Sequence, residues 1–275
     1  PATDCPEIVK LVQSKAAPTG VNVLPAGAVT VGQRGQVLTD FDSLRAAGVP
    51  ALTDDGVPIQ NQALLRQAML RAKERNLPLL DHCEDRDMVQ NYALNEGKAS
   101  QTLGLPGRPA IAEELQIMRD VMLAEETGAH VHICHISTAK GVEIVRQAKV
   151  RGMRVTCETC PQYFTLTEEE VLCQGALARV NPPLRTQADV DAIRAGLADG
   201  TIDAIVTDHA PHTSEEKARP LPDAPSGMVG LETSLALALT KLYHTGLLPM
   251  SRVLALMTSS PAALLGLNKG TLGEG

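Results

Sequence analysis

The sequence predicts an α/β fold, a (β/α)8 barrel in which parallel strands alternate with helices, and three observations lead to it. The length of 275 residues lies near the roughly 250 residues such barrels use for one domain. Short apolar segments alternate with longer amphipathic ones, the pattern of βα repeats and hence of a parallel sheet. Acids and histidines recur at the ends of the apolar segments. In a parallel barrel those ends meet on one face, where active sites are built.

The candidate strands are residues 21–24, 49–53, 77–80, 130–134, 154–157 and 204–207. Between them, residues 60–75, 111–126, 139–151 and 188–197 carry apolar side chains three and four apart, the spacing of one helix face. Gly152 and Gly200 follow two of these segments, where a left-handed stop ends a helix, and Ser260 with Pro261 opens a late one. Residues 211–230 hold prolines and charges and read as an active-site loop. Beyond them residues 231–243, 251–258 and 261–267 turn helical.

Composition limits the function. With 44% hydrophobic and 21% charged residues the chain has material for a buried core. A net charge of -7 argues against nucleic acid or an anionic membrane as partner and favours a small molecule. The six cysteines show no framework spacing and are expected to be reduced, as in the cytoplasm. No apolar run reaches the roughly 18 residues of a membrane span, and no leader opens the chain. Pro1 stands where a Met is expected, so the natural start is expected upstream.

Asp54 and Asp55 end one candidate strand, His82 another, His135 a third and Asp208 a fourth. Mixed carboxylate and imidazole donors favour a borderline cation such as Zn²⁺, with Mn²⁺, Fe²⁺ or Co²⁺ as alternatives, and suit Mg²⁺ poorly. With two metals a carboxylate can bridge, and the implied chemistry is metal-assisted attack on an amide-like carbon. Asp54-Asp55-Gly56 is also a good turn, and a lone histidine is more often structural than functional. His130 and His132 share one face within their strand and read as structural, as does His244. Cys157 and Cys160 form a Cys-x-x-Cys that reads as a redox pair or half a zinc knuckle, although no second such pair follows.

Thr53-Asp54-Asp55-Gly56, Asp81-His82-Cys83-Glu84-Asp85, His132-Ile133-Cys134-His135-Ile136-Ser137-Thr138, Val180-Asn181-Pro182-Pro183-Leu184-Arg185 and Thr207-Asp208-His209-Ala210-Pro211-His212 resemble, in order and spacing, bacterial class I dihydroorotases of the cyclic amidohydrolase superfamily. The resemblance implies zinc-dependent, reversible cyclisation of N-carbamoyl-L-aspartate to L-dihydroorotate in pyrimidine biosynthesis, with two zinc ions in a complete site. It implies Asp55 as bridging ligand, His82 and His135 as ligands of one metal, and Asp208 as ligand and proton carrier. It further implies substrate contacts from Asn181, His212 and the Gly227 backbone. Hydantoinases and allantoinases generally bridge their metals with a carboxylated lysine, whereas class I dihydroorotases use this aspartate; residues 158–163 nevertheless resemble hydantoinases. The family's first strand ends in a His-x-His pair, and its sequence closes with sandwich strands. Neither is found here, so residues 1–275 are expected to be one barrel domain, incomplete at the first strand and shortened at both ends. Homodimers or association with aspartate transcarbamoylase are implied as partners. The alternatives are another cyclic amidase, or a non-catalytic scaffold that binds aspartate transcarbamoylase.

Overall fold

A computed structural model describes residues 1–273. In chain order its main elements are α1 (Pro6–Ala16), α2 (Phe41–Ala46), β1 (Leu52–Thr53), α3 (Gln62–Glu74), β2 (Leu79–Asp81), α4 (Ile111–Thr127), β3 (Val131–Ile133), α5 (Ala139–Val150), β4 (Val155–Thr159), α6 (Gln187–Asp199) and β5 (Ala204–Ile205). The chain divides into two compact units. One comprises residues 1–83, 119–134 and 148–156, the other residues 84–118, 135–147 and 157–275.

In the first unit β1 pairs with β2 and β2 with β3, all parallel, with Leu52 opposite Leu79 and Leu80 opposite His132. Parallel neighbours need long crossovers, and α3 is one of them. The Asn61 side chain accepts the Leu64 N–H at 3.1 Å and so caps its first turn. Its buried face, Leu65, Ala68, Met69 and Ala72, repeats at three and four residues. α2 starts the same way, with Asp40 accepting from the Asp42 and Ser43 N–H groups. α1 opens on Pro6, whose missing N–H costs nothing at that position. Neither α1 nor α2 is among the helices expected above, although in α1 Ile8, Val9 and Val12 stand three and four residues apart.

In the second unit β4 pairs with β5 in parallel, Glu158 opposite Ala204. Thr186 caps α6 reciprocally with Asp189, and Gly200, at φ +84°, ends it. That cap moves the start of the helix back to Gln187. The 231–243 segment is a short α-helix, Ser234–Ala238, continued as a π-helix, Leu239–Tyr243. Within the 211–230 loop lies one short helix, Ser214–Lys217.

Residues 21–24 are not a strand. Val21, Val23 and Leu24 are exposed, and the residue that bridges to Leu52 is Gly27. Pro25, which has no N–H, separates the apolar run from that bridge. An apolar run becomes a strand only where its backbone finds a ladder, and here the ladder begins three residues later.

Candidate metal and substrate site

Asp54 and Asp55 are adjacent, yet their side chains lead separate lives. The Asp54 carboxylate is buried and accepts the Val29 N–H at 2.8 Å, the Thr30 N–H at 3.1 Å and the Thr30 hydroxyl. Burial pushes its pKa up, against the pull of those three bonds. It is a fastener for the segment that follows Gly27, and it answers the turn reading of this motif. Asp55 projects outward, its side chain 54% exposed, and its Oδ1 stands 3.4 Å from His82 Nδ1. A carboxylate facing an imidazole at that separation is a ready pair of metal donors.

β2 explains how His82 comes to face Asp55. Side chains alternate along an extended chain, and Asp81 and Cys83, on either side of His82, are both buried with Asp120. Their ligand atoms lie within 4.8 Å of one another, a spacing that would admit a cation. A cation is already there. The Arg119 guanidinium stands 3.0 Å from Asp81 and 2.7 Å from Asp120, and donates to the Ile59 carbonyl at 2.7 Å. Burial first, and then the Asp120 charge, holds the Asp81 carboxyl well above the usual carboxylate range. The cluster is therefore a buried ion network that fixes the strand end, with His82 turned the other way. His130 and His132 have the structural role expected of them, since both reach the Thr156 hydroxyl at 2.9 Å.

In the second unit, His135 and Asp208 share an unusual backbone. Their φ angles are +34° and +47°, in the left-handed region that residues with a Cβ seldom occupy. Such a conformation costs about 1–2 kcal/mol per residue, and it persists where the surroundings impose it. At His135 it turns the chain off the end of β3, and Ile136 N–H then donates to the Glu158 carbonyl at 2.8 Å. Ser137 is gripped by Glu113, which takes both its N–H, at 2.8 Å, and its hydroxyl. Arg185 Nη2 stands 3.2 Å from Glu113, its Nε donates to the Ser137 hydroxyl at 3.1 Å, and its Nη1 to Asn95 Oδ1 at 2.7 Å. Arg185 closes the Asn181 motif, so this buried network ties that loop to the turn after His135.

The remaining substrate candidates are also placed by named contacts. Asn181 Oδ1 accepts from Arg108 Nη1. Tyr163, from the 158–163 segment, donates its hydroxyl to the Pro182 carbonyl at 2.8 Å, which gives that segment a role in shaping the same loop. Burial, together with the Cys160 and Asp208 charges, raises the Tyr163 pKa far above that of a free phenol, so it stays a donor. His212 and Gly227 are brought together. His212 Nε2 lies 2.9 Å from the Ser226 carbonyl, and a Cβ at position 227 would meet the Ala210 carbonyl at 2.6 Å and His212 Nε2 at 3.0 Å. With φ at +139°, only glycine suits that position. Lys217 Nζ holds the loop down by donating to the carbonyls of Ala176, Arg179 and Pro225.

Cys157 and Cys160 are buried, and among the described residues they are not joined in a disulfide. Cys160 packs with Tyr163, Val180 and Leu184 in an apolar cluster, and Cys157 Sγ lies 3.4 Å from the Thr201 carbonyl. The Cys-x-x-Cys is core. Among the described residues no helix is long and apolar enough to cross a membrane.

The architecture has close relatives of known structure. An L-hydantoinase from Arthrobacter aurescens superimposes with a TM-score of 0.83 at 25% identity, over 98% of this chain and 63% of that one. A D-hydantoinase from Thermus sp. does so with a TM-score of 0.80 at 25% identity, over 99% and 63%. The fold is therefore the α/β barrel of the metal-dependent amidohydrolases, with parallel strands as the repeat pattern predicts. In sequence the chain is nearer to proteins named dihydroorotase. The relative from Pelotomaculum thermopropionicum is 46% identical over 275 residues, and that from Ruminiclostridium cellulolyticum 49% identical over 278. Both alignments cover the whole of this chain and 64% of the relative. A family model described as dihydro-orotase-like matches residues 1–141, the stretch that carries Asp55, His82 and His135. With the motif order, the strand-end placement of those residues and this match in agreement, the chain belongs to the dihydro-orotase-like family.

Proposed function

We propose that the chain supplies the metal-binding core of a cytoplasmic dihydroorotase, which interconverts N-carbamoyl-L-aspartate and L-dihydroorotate in pyrimidine biosynthesis. The observation that carries this reading is the division of labour at Asp54-Asp55. Asp54 is consumed by Thr30 and Val29, whereas Asp55 faces the imidazole of His82 at 3.4 Å. In the class I dihydroorotases that the motif resembles, an aspartate here takes the place of the carboxylated lysine of hydantoinases. Identities of 46% and 49% to proteins named dihydroorotase, against 25% to the hydantoinases, support the same choice.

Asp55, His82, His135 and Asp208 would hold the metal as a single barrel domain's strand-end ligands. Two carboxylates and two imidazoles fit zinc better than a hard cation. Bound there, zinc would polarise the amide carbonyl and make a water acidic enough to attack near neutral pH. Asp208 would carry the proton from that water to the leaving nitrogen, and the reverse in ring closure. Asn181, His212 and the Gly227 backbone would orient the substrate, the glycine because no side chain screens its peptide. Association with a second copy or with aspartate transcarbamoylase is part of the proposal and would appear as a larger species in sedimentation.

The test is an assay of the zinc-loaded protein on dihydroorotate, hydantoin and allantoin. Dihydroorotate is expected to have the highest kcat/KM, and chelation followed by added zinc is expected to abolish and restore turnover. Preference for hydantoin or allantoin would move the assignment to another cyclic amidase. No turnover of any of the three would favour the scaffold.

A further inference from the structure

Arg108 belongs to none of the motifs that mark the site, and lies in the irregular segment before α4. Its side chain is buried, and its hydrogen bonds run in three directions. Nε donates to the Tyr92 carbonyl at 2.5 Å, Nη1 to Glu84 Oε1 at 2.5 Å, and Nη1 also to Asn181 Oδ1. Glu84 follows His82 by two residues, and its side chain is only 14% exposed. Their ion pair is thus largely shielded from water, and the guanidinium is locked between Glu84 and the Tyr92 carbonyl. The backbone of Arg108 is held too. Its N–H donates to the Leu94 carbonyl at 2.8 Å, its own carbonyl accepts from Glu96 N–H at 3.0 Å and from Arg185 Nη1 at 3.1 Å. Gly107 makes this possible, because any side chain there would collide with the backbone of Glu96.

A guanidinium offers five donors and no acceptor. Whatever else surrounds Asn181, only the carbonyl end of its amide can face Arg108, so the NH₂ end is turned away. We propose that Arg108 is a positioning residue for Asn181: it fixes the amide so that the site offers N–H donors, and the substrate group read by Asn181 is a carbonyl or carboxylate oxygen rather than a ring N–H. This rests on the reading of Asn181 as a substrate residue. A free amide could rotate to satisfy either kind of group, and a cyclic ureide carries both kinds on the same ring. Fixing the amide turns a permissive contact into one that selects the face and register of the ring.

The experiment uses the complete zinc-loaded protein and the variants Arg108→Met, Arg108→Lys, Asn181→Asp, Asn181→Ala and the double variant Arg108→Met/Asn181→Ala. KM and kcat for dihydroorotate are measured, together with the Kd of orotate, its unsaturated analogue, by calorimetry. Arg108→Met is expected to raise both KM and Kd roughly tenfold, the value of one hydrogen bond, with the smaller change in kcat. Arg108→Lys keeps a donor toward Oδ1 and is expected to recover part of the loss. Asn181→Asp keeps an oxygen toward Arg108 but has no donor, and is expected to lose at least as much affinity. Adding Arg108→Met to Asn181→Ala, which introduces no charge, is expected to cost nothing beyond Asn181→Ala alone, since both act through one amide. Unchanged KM and Kd in Arg108→Met, or full additivity in the double variant, would overturn the proposal. If Arg108→Met fails to fold by thermal melting, Asn181→Asp and Arg108→Lys decide: unchanged orotate affinity in either overturns the proposal, and a loss in Asn181→Asp with a smaller loss in Arg108→Lys supports it. If the parent protein turns over hydantoin and not dihydroorotate, the dihydroorotase reading has failed, and the same variants then test Arg108 through the KM for hydantoin.

Discussion

Replacing Asp54 and Asp55 one at a time is expected to separate stability from metal binding across a single peptide bond. In Asp54→Ala the Val29 and Thr30 N–H groups lose a carboxylate acceptor, at sites where Val29 is 1% exposed and Thr30 is fully buried. An unsatisfied buried donor costs roughly 1–3 kcal/mol. The Thr30 hydroxyl keeps a partner, since it still accepts from the Gly35 N–H at 2.9 Å. Against these losses stands the relief of a desolvated charge, because burial raises the Asp54 pKa. The balance is a destabilisation of about 3 kcal/mol, which in a domain of this size lowers Tm by roughly 6–12 °C. Asp55→Ala removes a largely exposed side chain, and a surface change of that kind is worth roughly 0.5 kcal/mol or less in the metal-free protein. Its effect is expected on metal content instead. Thermal unfolding of the metal-free variants, with elemental analysis after zinc loading, reads both quantities. The reasoning fails if Asp54→Ala melts no lower than Asp55→Ala, or if Asp55→Ala retains the parent metal content.

Asp208→Asn keeps an oxygen donor but cannot carry a proton, so turnover is expected to fall by roughly 10² to 10⁴; activity within threefold of the parent, at an unshifted pH optimum, would contradict that role. Tyr163→Phe leaves the Pro182 carbonyl without its buried donor and is expected to lower stability by about 1–2 kcal/mol, visible as a shift in the denaturation midpoint at constant slope. The Cys83 thiol is pushed well above its ordinary pKa by burial and by the Asp120 and Asp81 charges. It has little thiolate at pH 8, so iodoacetamide followed by mass mapping is expected to label exposed Cys173 and to spare Cys83 in the folded protein; the opposite order would refute this.

The parts of the site that the sequence announces are those governed by local rules. His82 and His135 stand where an apolar run stops, and the bodies of α3 and α6 follow their apolar spacing, whereas their starts at the caps Asn61 and Thr186 lie a residue or two from the expected ones. Asp55 was separable from Asp54 by resemblance alone. Nothing local says that Asp54 turns inward, because its partners, Val29 and Thr30, are distant in sequence. The same holds for Arg108, Glu113 and Arg119, whose meaning comes wholly from partners brought to them by the fold. Residues 21–24 show the converse error, a strand-like composition that found no ladder. The left-handed turns at His135 and Asp208 carry only a weak signal, since aspartate and histidine tolerate a positive φ better than most side chains but adopt it in few of their positions.

Arg119 shows how far the strand end beside His82 depends on buried charges that face away from Asp55. It is paired with Asp81 and Asp120, all three side chains being 10% exposed or less. Arg119→Met would keep the volume and leave two carboxylates buried without their cation. Breaking a buried pair in this way costs about 3–5 kcal/mol, far more than the loss of an exposed side chain such as Asp55. The pH dependence gives the sharper test. Burial and the Asp120 charge already raise the folded-state pKa of Asp81 above its unfolded value, and removing Arg119 takes away an opposing influence. For an acid with a raised folded pKa, the folded state binds the proton more tightly than the unfolded one. The penalty is therefore fully present above the folded pKa and is relieved as pH falls through it. The stability gap between parent and Arg119→Met is expected to be widest above the folded pKa of Asp81 and to narrow as pH falls through it. Denaturant melts of the metal-free proteins over a pH series measure it. A gap that stays constant or widens on acidification would mean that Arg119 does not offset the buried charge of Asp81, and that the support beneath His82 is of another kind.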